Sequence, residues 1–520
     1  MPYHLATPPF DAGRAGPIPY VPAATVSMPG LRLKCPHPLS LNDAMNEPVR
    51  ELYSEKRYPA LSHPVTDISR LAVSARLGGL QRLPLPAACR VVEFGCASGH
   101  NLLPLAARYP KSEFTGLDFS DTAIRNARRA SWESGLENIL FEVADLEHWR
   151  PSHPSDYLIV HGLFSWVPDA VKSRILDLCS QLLSESGVAC ISYNTLPGWS
   201  LKRDVVPLIR SLAGNPLAAG LGGDVAQVAE SLAAMAGNGT AHAAYLQAAC
   251  REIVRKGPEV LPFDDFAPVC DPIYFAQFAA WAAERGLRYL GEADLRENLP
   301  EGIDPAAFEK LAPLAADPLL LQQTLDLLSG RTHRNSLLCR AEAPMEEGTT
   351  TAVVLHFAAG LGDQPLPDKL PETPVTRTFR ETLVAASRNC TPVQDLMERT
   401  ASRLGVGWDP TRHSQEIAAW VFQMARAGCL ELRADSIRLP SGPGATPQIS
   451  KLNRHFSTNG LPVVDARHTT CRYPDGHERL LAEMDGTRSF DQLAAKSATD
   501  FPELDFPRWM DHLAGRGILC

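Results

Sequence analysis

Predicted strands and helices alternate strictly along residues 87 to 196, and this leaves few folds open to the chain. Short runs rich in β-branched and aromatic residues are each followed by apolar residues at helical spacing, and several of those stretches end at glycine. Such alternation is typical of parallel sheets whose helices cover both faces. The sequence therefore predicts a Rossmann-like, doubly wound α/β sheet, with early strands in CRVVEFG, SEFTGLDFS, NILFEVADL, DYLIVHGLF and VACISYNT.

The alternation stops after Trp199. Residues 201–268 are rich in Ala and Leu at helical spacing, and two strand-like runs follow within residues 269–345, GLRYLGEADL and RNSLLCRAE. We interpret these two runs as late strands that bring the sheet to seven, with residues 201–268 as a helical regulatory insertion between the fifth and sixth strands. The alternative is an independent helical domain that follows a five-stranded sheet.

The length of 520 residues predicts three or four domains. The first part of the α/β core would occupy residues 46–200. In residues 350–520, the run HSQEIAAWVFQMARAGCLEL followed by SIRL predicts a helix, a turn and a short hairpin, which is typical of an α+β, winged-helix-like region. Residues 1–45 contain nine prolines and predict a mobile tail.

Charge and cysteine usage exclude several functional classes. The formal net charge is -9, so there is no basic footprint for nucleic acid or for an anionic membrane surface. The 12 cysteines stand singly without a C-x-x-C pair, so neither a zinc framework nor a disulfide scaffold is expected. No apolar run approaches the roughly 18 residues of a membrane span, and the first residues lack a secretory pattern. We therefore expect a cytoplasmic protein without a bound metal.

The most informative stretch is VVEFGCASGHN, residues 91 to 101, where a strand enters a glycine turn that leads directly into a helix. The glycines allow a ligand to approach the backbone closely, and the first N–H groups of the helix point towards it. The spacing is not G-x-G-x-x-G, and no Lys-Ser/Thr pair follows as in a phosphate-binding loop.

Three carboxylates accompany this turn. Asp118 ends the second strand about 23 residues after Gly95, where it would accept hydrogen bonds from the two hydroxyls of a ribose. Asp145 follows the third strand at the same edge, and Glu93 lies within the first strand, where a buried carboxylate is costly without a partner. Each feature alone also fits a structural turn or a helix cap. Together they predict a crevice for a nucleoside-containing ligand.

The E-x-G-C-A-S-G turn, Asp118 and the run Ala144 to Leu146 resemble class I S-adenosylmethionine-dependent methyltransferases. The resemblance covers residues 50 to 345 well and the C-terminal region loosely. It narrows to bacterial methyltransferases with a methyltransferase regulatory domain, including rickettsial-type protein lysine methyltransferases. The runs that carry it are RYPALSHPVTDISRLAVSARLGG, HGLFSWVPDAV, SYNTLPGW, PIYFAQFAAWAAERGLRYLGEADL and DGTRSFDQL.

This resemblance implies that S-adenosyl-L-methionine is the cofactor and S-adenosyl-L-homocysteine the product. The glycine turn would line the methionine part, Asp118 would hold the ribose, Phe119 would flank the adenine, and Asp145 with Leu146 would recognise its edge. The residues expected to bind the cofactor are Glu93, Gly95, Cys96, Ala97, Gly99, Asn101, Asp118, Phe119, Asp145, Leu146 and His161.

The acceptor would lie beyond the ends of strands four and five. His161, Tyr193 and Asn194 are the catalytic candidates, with Tyr193 or Asn194 accepting a hydrogen bond from an amine. Four residues are candidates for substrate binding. Two lie in a lid segment before the first strand, Tyr58 and His63, and two are aromatic residues that follow strands four and five, Trp166 and Trp199. Purely structural roles remain the alternative for each of these residues. Strand four ends in His161-Gly162-Leu163-Phe164, and the absence of Asn/Asp-Pro-Pro-Tyr argues against a nucleobase or amide acceptor.

A lysine side chain of a protein or peptide substrate is the preferred acceptor, because the additional modules exceed what a small metabolite requires. This preference rests on the resemblance and on size. The alternatives are a methyltransferase for a small molecule or biosynthetic peptide, and a catalytically silent cofactor-binding regulator. The oligomeric state stays open and includes a homodimer.

Overall fold

The computed structural model describes residues 58–520, apart from residues 238, 258–259, 299–309, 347–350, 368–371 and 475. The predicted proline-rich tail, residues 1–45, lies outside the described residues. None of the described helices is long and apolar enough to cross a membrane.

A seven-stranded sheet forms the centre of the molecule, with the strand order β3-β2-β1-β4-β5-β8-β7. Strands β1 to β5 run parallel, whereas β8 lies antiparallel to β5 and β7 lies antiparallel to β8. A two-residue strand, β6, pairs with the end of β5. The strands are β1 Arg90–Phe94, β2 Glu113–Asp118, β3 Ile139–Val143, β4 Ser155–Val160, β5 Leu183–Leu196, β6 Ile273–Tyr274, β7 Leu287–Glu292 and β8 His333–Arg340. The predicted doubly wound α/β fold is confirmed.

Helices cover both faces of this sheet, and one hydrophobic cluster lies on each side of it. Their boundaries follow local signals: in the third helix, the Ser120 side chain accepts a hydrogen bond from the Ala123 N–H, and Gly135 ends the helix in the left-handed conformation. The first four helices are α1 Ile68–Leu77, α2 Leu102–Arg108, α3 Asp121–Ser134 and α4 Asp169–Leu182.

The boundary between α4 and β5 differs from the sequence expectation. Helical spacing predicts a helix that continues to Gly187, but the helix ends at Leu182 and the strand begins at Leu183. Leu183 pairs with Ser155 of β4 and is buried. Pairing with a neighbouring strand therefore outweighs the helical pattern of residues 183–187.

Three helices follow β5 and share a small hydrophobic core that includes Val205, Ile209, Val228 and Ile253. The chain then returns to the sheet through β6, two further helices and the antiparallel strands β7 and β8. This helical block therefore inserts between β5 and the late strands. Its helices are α5 Ser200–Leu212, α6 Val225–Met235 and α7 Ala241–Lys256, and the returning helices are α8 Phe275–Ala283 and α9 Pro318–Ser329.

The C-terminal region contains a winged-helix-like unit and a second small module. The first unit is built from β9 Ala358–Leu361, α10 Pro374–Ala385, β10 Thr391–Pro392, α11 Val393–Leu404, α12 Pro410–Arg426 and β11 Leu430–Arg433, with the strand order β10-β9-β11. The second is built from α13 Lys451–Thr458, β12 Val463–Val464, β13 Thr470–Cys471, α14 His477–Ala482, α15 Phe490–Asp500 and α16 Phe506–Arg516.

Helix α1 joins the C-terminal region to the sheet. Leu71 and Ala75 pack into the sheet core, whereas Val73 and Leu77 pack into the core of the winged-helix-like unit. A helix that packs on two sides in this way exposes little surface to water, and eight of its ten residues are buried. A fully buried ion pair of 2.6 Å between Arg433 and Asp67, at the start of α1, adds to this contact.

Candidate active site

A cavity opens at the carboxyl ends of β1 to β4, where parallel α/β sheets bind their ligands. Its walls come from the segment before α1, from the glycine turn, and from the loops that follow β2, β3 and β4. The lining residues are Tyr58, Pro59, Ala60, Leu61, His63, Glu93, Gly95, Cys96, Ala97, Ser98, His100, Asn101, Leu117, Asp118, Phe119, Ala144, Asp145, Leu146, Glu147, His161, Gly162, Leu163, Trp166, Val167, Pro168 and Val171.

The glycine turn is a set of left-handed residues that brings backbone to the cavity wall. Gly95 and Ala97 have φ angles of 73° and 47° and line the cavity. Gly99 also has a positive φ, of 74°, but it lies behind the wall, because an added Cβ would come within 2.6 Å of the Phe141 ring. The structure therefore corrects the expectation for Gly99, which allows helix and sheet to pack closely and does not line the site.

Asp118 ties the end of β2 to this turn. Its two carboxylate oxygens accept hydrogen bonds from the backbone N–H groups of Ala97, at 2.9 Å, and Ser120, at 2.8 Å. Burial raises the pKa of Asp118. Phe119, Asp145 and Leu146 line the same part of the cavity, as the sequence predicts for residues that follow neighbouring strands.

Glu93 is a buried carboxylate with one satisfied oxygen. Oε1 accepts a hydrogen bond of 2.8 Å from Asn101 Nδ2, whereas no described residue hydrogen-bonds to Oε2. Burial raises the pKa of Glu93 to about 8. An unpartnered carboxylate oxygen in a cavity wall is costly for the free protein, and it fits a ligand that brings a cationic hydrogen-bond donor.

We expect Glu93→Gln to stabilise the ligand-free protein and to weaken cofactor binding. The folded-state pKa of about 8 lies above the ordinary value near 4.5, so the wild type loses stability as the pH rises from about 4.5 to 8, by a few kcal/mol in total. The glutamine removes this loss but cannot pair with a cation. Thermal unfolding at pH 5 and pH 8, together with calorimetry, measures both effects.

The exposed Glu113, at the start of β2, offers a matched control. Glu113→Gln should alter neither the pH dependence of unfolding nor the affinity for the cofactor. A Glu93→Gln variant whose unfolding midpoint falls at pH 8 would contradict the role of Glu93 as an unpartnered buried charge.

The rings of two histidines in the cavity wall lie against each other, and a third histidine lies nearby. The ring centroids of His63 and His161 are 3.9 Å apart, and that of His333 lies 6.3 Å from His161. Burial lowers the pKa of His63 and His333 to about 4 and that of His161 well below its usual range. All three imidazoles are therefore neutral at pH 7. Burial also raises the pKa of Tyr58 to about 12, which keeps its phenol protonated.

Besides Gly99, three predicted residues do not line the cavity. Tyr193 is fully buried between the sheet and α8, where its ring stacks on that of Phe278 with the ring centroids 4.3 Å apart. The side chain of Asn194 contacts Cys270. Trp199 is buried at the start of α5. None of these three residues lines this cavity, so their catalytic and substrate-binding roles stay predictions. Tyr193 and Asn194 lie within β5, which continues to Leu196, and Trp199 lies beyond it.

Trp166 does line the cavity, and its Nε1 donates a hydrogen bond of 3.2 Å to the Asp264 carbonyl of the helical block. Sequence reasoning missed His333 and His100. His333 begins β8 and pairs with Asn194 across the sheet, so only the strand order reveals its position. His100 follows Gly99 inside the glycine motif, which could have identified it as a wall residue.

Two family models match the chain. Residues 91–187 match a model described as "Methyltransferase domain", and residues 258–340 match one described as "Predicted methyltransferase regulatory domain". Residues 91–187 therefore resemble a methyltransferase domain. Most residues that line the cavity lie in this matched segment, at the edge formed by the glycine turn, and those of the segment before α1 precede it. The regulatory-domain match runs from the end of the helical block to β8.

Curated relatives match the methyltransferase domain and part of what surrounds it. Uncharacterized protein RP789 of Rickettsia prowazekii is 29% identical over 59% of this chain and 55% of its own length. A trans-aconitate 2-methyltransferase of Methylobacterium nodulans is 32% identical over 26% of this chain and 49% of its own. The chain therefore spans about half the length of these two relatives.

Solved structures extend the likeness of fold beyond the methyltransferase domain. PKMT2 from Rickettsia typhi, in complex with AdoHcy, has a TM-score of 0.73 at 21% identity and covers 86% of this chain and 92% of its own. A second structure of PKMT2 has a TM-score of 0.76 at 20% identity and covers 89% of this chain. The fold similarity thus includes the C-terminal region.

Proposed function

We propose that this protein is an S-adenosylmethionine-dependent methyltransferase that methylates lysine side chains of a protein substrate. The observation that carries the proposal is the acidic lining of the cavity, in which a bound cation would lower the raised pKa of Glu93 and favour its ionised form. Among the described residues that line it are four carboxylates, Glu93, Asp118, Asp145 and Glu147, and neither Arg nor Lys. Such a cavity favours a cationic ligand and a cationic or amine acceptor.

The residues at the glycine-turn end fit the cofactor. Glu93 has a free carboxylate oxygen for the ammonium group of the methionine part, and Asp118 and Asp145 lie where the ribose and the adenine edge would be held. Phe119 and Leu146 add apolar surface for the base. When bound, the cofactor supplies a methyl group on a sulfonium, so the chain itself has to bind, align and exclude water.

The acceptor end suits an amine that must be deprotonated before it reacts. Tyr58, His63, His161 and Trp166 surround it, and none of these groups carries a charge at pH 7. Removal from water beside a positive sulfonium lowers the pKa of a lysine ammonium, since both effects disfavour the charged form. The neutral His161 imidazole then accepts a hydrogen bond from the amine and directs its lone pair, while the Trp166 ring packs against the alkyl chain.

The likeness to PKMT2 supports a protein substrate, and the likeness to trans-aconitate 2-methyltransferase raises the alternative of a small molecule. Trans-aconitate is a polyanion, for which a cavity with four acidic residues and neither Arg nor Lys among its described lining residues is unfavourable. A catalytically silent regulator would not need a neutral acceptor end beside the cofactor. Both alternatives are therefore less well supported than lysine methylation.

The test is to incubate the protein with methyl-labelled S-adenosylmethionine and a bacterial protein extract. We expect label in protein that resists mild base and appears as methylated lysine after acid hydrolysis. Asp118→Ala should abolish the labelling, whereas Asp121→Ala, an exposed residue of α3, should retain it. Label released by base as methanol, or found only in small molecules, would overturn the lysine assignment.

We expect His161→Ala to lower the rate of methyl transfer by at least about tenfold, because the amine loses a hydrogen-bond acceptor worth roughly 1.4 kcal/mol. Affinity for S-adenosylhomocysteine should change by less than about threefold, because the cofactor would be held mainly by the glycine-turn end. Steady-state kinetics and calorimetry measure the two quantities. His153→Ala, at an exposed site before β4, is the matched control, and an unchanged rate in His161→Ala would remove His161 from the reaction.

A further inference from the structure

Asn101, at the start of α2, connects three distant parts of the chain. Its Nδ2 donates to Glu93 Oε1, at 2.8 Å. Its Oδ1 accepts hydrogen bonds from the His63 backbone N–H at 2.9 Å, from Thr66 Oγ1 at 3.1 Å and from His468 Nε2 at 2.9 Å. The first two donors belong to the lid segment before α1, and the third belongs to the C-terminal region, 367 residues away. A single amide side chain thus holds the cofactor wall, the lid and the C-terminal region together.

The pattern of these bonds fixes which nitrogen of His468 carries the hydrogen. Because the Asn101 amide nitrogen is directed at the Glu93 carboxylate, its oxygen faces His468, and Nε2 must donate. His468 is buried, and burial lowers its pKa to about 3, so the ring is neutral at pH 7. The hydrogen bond is therefore made by a neutral imidazole with its hydrogen on Nε2.

The backbone of His468 is held in an uncommon conformation that delivers this ring. Its φ angle is 62°, in the left-handed region that few residues other than glycine and asparagine adopt. Asp465 shapes the loop, because its Oδ1 accepts hydrogen bonds from the N–H groups of Arg467 and Thr469, at 2.9 and 2.8 Å. Such a conformation persists only where the surroundings specify it, and it often marks a functional position.

This loop also contacts the lid through Thr470, the residue at which it joins β13. Thr470 Oγ1 accepts a hydrogen bond of 2.7 Å from the Ser62 N–H and lies 2.9 Å from Ser62 Oγ. The lid residues next to Ser62, Leu61 and His63, line the cavity. The loop between β12 and β13 therefore touches the cavity wall through Asn101 and the cover of the cavity through Ser62.

We infer that the β12–β13 loop is part of the cofactor site and that His468 is a positioning residue: through Asn101 it orients the Glu93 carboxylate and holds the lid over the bound cofactor. The inference rests on the proposed function, in which this cavity binds S-adenosylmethionine. It assigns the C-terminal region a part in cofactor binding.

The test compares His468→Asn with His468→Gln. Asparagine tolerates the left-handed backbone well but is too short to reach Asn101, whereas the amide nitrogen of glutamine stands in for Nε2 at the cost of a strained backbone. We expect His468→Asn to be at least as stable as His468→Gln yet to bind S-adenosylhomocysteine about tenfold more weakly than the wild type. His468→Gln should bind within about threefold of the wild type. A merely structural role predicts instead that affinity follows stability.

His477→Ala is the matched control, because His477 is also buried in the C-terminal module but packs against Phe501, away from the loop. The centroids of the two rings are 5.0 Å apart. It should lower the unfolding midpoint without changing affinity. A second readout needs no cofactor: the amide hydrogens of residues 61–66 should exchange at least about tenfold faster in His468→Asn than in the wild type.

The outcomes separate the two proposals. If the wild type binds the cofactor and both His468 variants bind equally well, the inference is wrong and the proposed function stands. If the wild type does not bind, the proposed function is wrong and the cofactor role of His468 falls with it. Weakened binding in His468→Asn alone, with faster exchange of the lid, supports the inference.

Discussion

Asp118→Ala should lower the affinity for S-adenosylhomocysteine by about 100-fold and abolish methyl transfer. The carboxylate has two tasks that alanine cannot perform, since it fixes the backbone of Ala97 and Ser120 and would accept hydrogen bonds from the ribose. Charge-assisted hydrogen bonds of this kind contribute roughly 1.5–3 kcal/mol each. Calorimetric titration of wild type and variant gives the difference in affinity directly.

The same substitution leaves two backbone N–H groups without their acceptor, so a loss of roughly 1–3 kcal/mol in the free energy of unfolding should accompany it. Asp121→Ala, three residues further along in an exposed position, separates this local effect from a general one. Binding of the cofactor by Asp118→Ala at wild-type affinity would place the ribose elsewhere and invalidate the assignment of this edge.

Arg433→Met is expected to produce the largest loss of stability, about 3–5 kcal/mol, because it leaves the buried Asp67 carboxylate without its main partner. Both side chains are inaccessible to solvent, and the nearest other cation, Arg108, lies 3.8 Å from Asp67. Urea denaturation, followed by tryptophan fluorescence, measures the first unfolding transition. Arg438→Met, at an exposed position five residues away, is the matched control.

The double variant Asp67→Asn, Arg433→Met should recover much of that loss, since no unpaired charge remains buried. The pH dependence provides a second check. Despite burial, the guanidinium groups of Arg433 and Arg108 hold the pKa of Asp67 well below its usual range. The pair therefore stabilises the protein above about pH 4, and this contribution decreases as the pH falls further. A single variant as stable as the double variant would show that the pair contributes nothing.

The parts of the site that follow consecutive early strands could be predicted from the sequence. Glycine spacing and strand-end carboxylates placed Gly95, Asp118 and Asp145 at one edge, because parallel strands share a direction and their loops converge. The fold class followed from the same alternation. Local patterns were sufficient wherever neighbours in sequence are also neighbours in the sheet.

Residues whose position depends on register or on distant contacts could not be predicted. Tyr193 was expected near the end of its strand, but β5 continues to Leu196, and the alternation of side chains directs its ring into the core. His333 lies near His161, behind the cavity wall, because β8 inserts next to β5. His468 arrives through a loop contact with Asn101, for which the sequence has no periodic signal.

The distance along the chain between Asn101 and His468 has a consequence for the protein's own synthesis. At about 5–20 residues per second, a ribosome needs roughly 20–70 s to add the 367 residues that separate them. During that interval the nascent polypeptide has its glycine turn and Glu93 but lacks the donor that completes their hydrogen-bond network. On the role inferred for His468, full affinity for the methyl donor is acquired only near the end of translation, so an unfinished chain competes less well than mature molecules for a shared pool of donor.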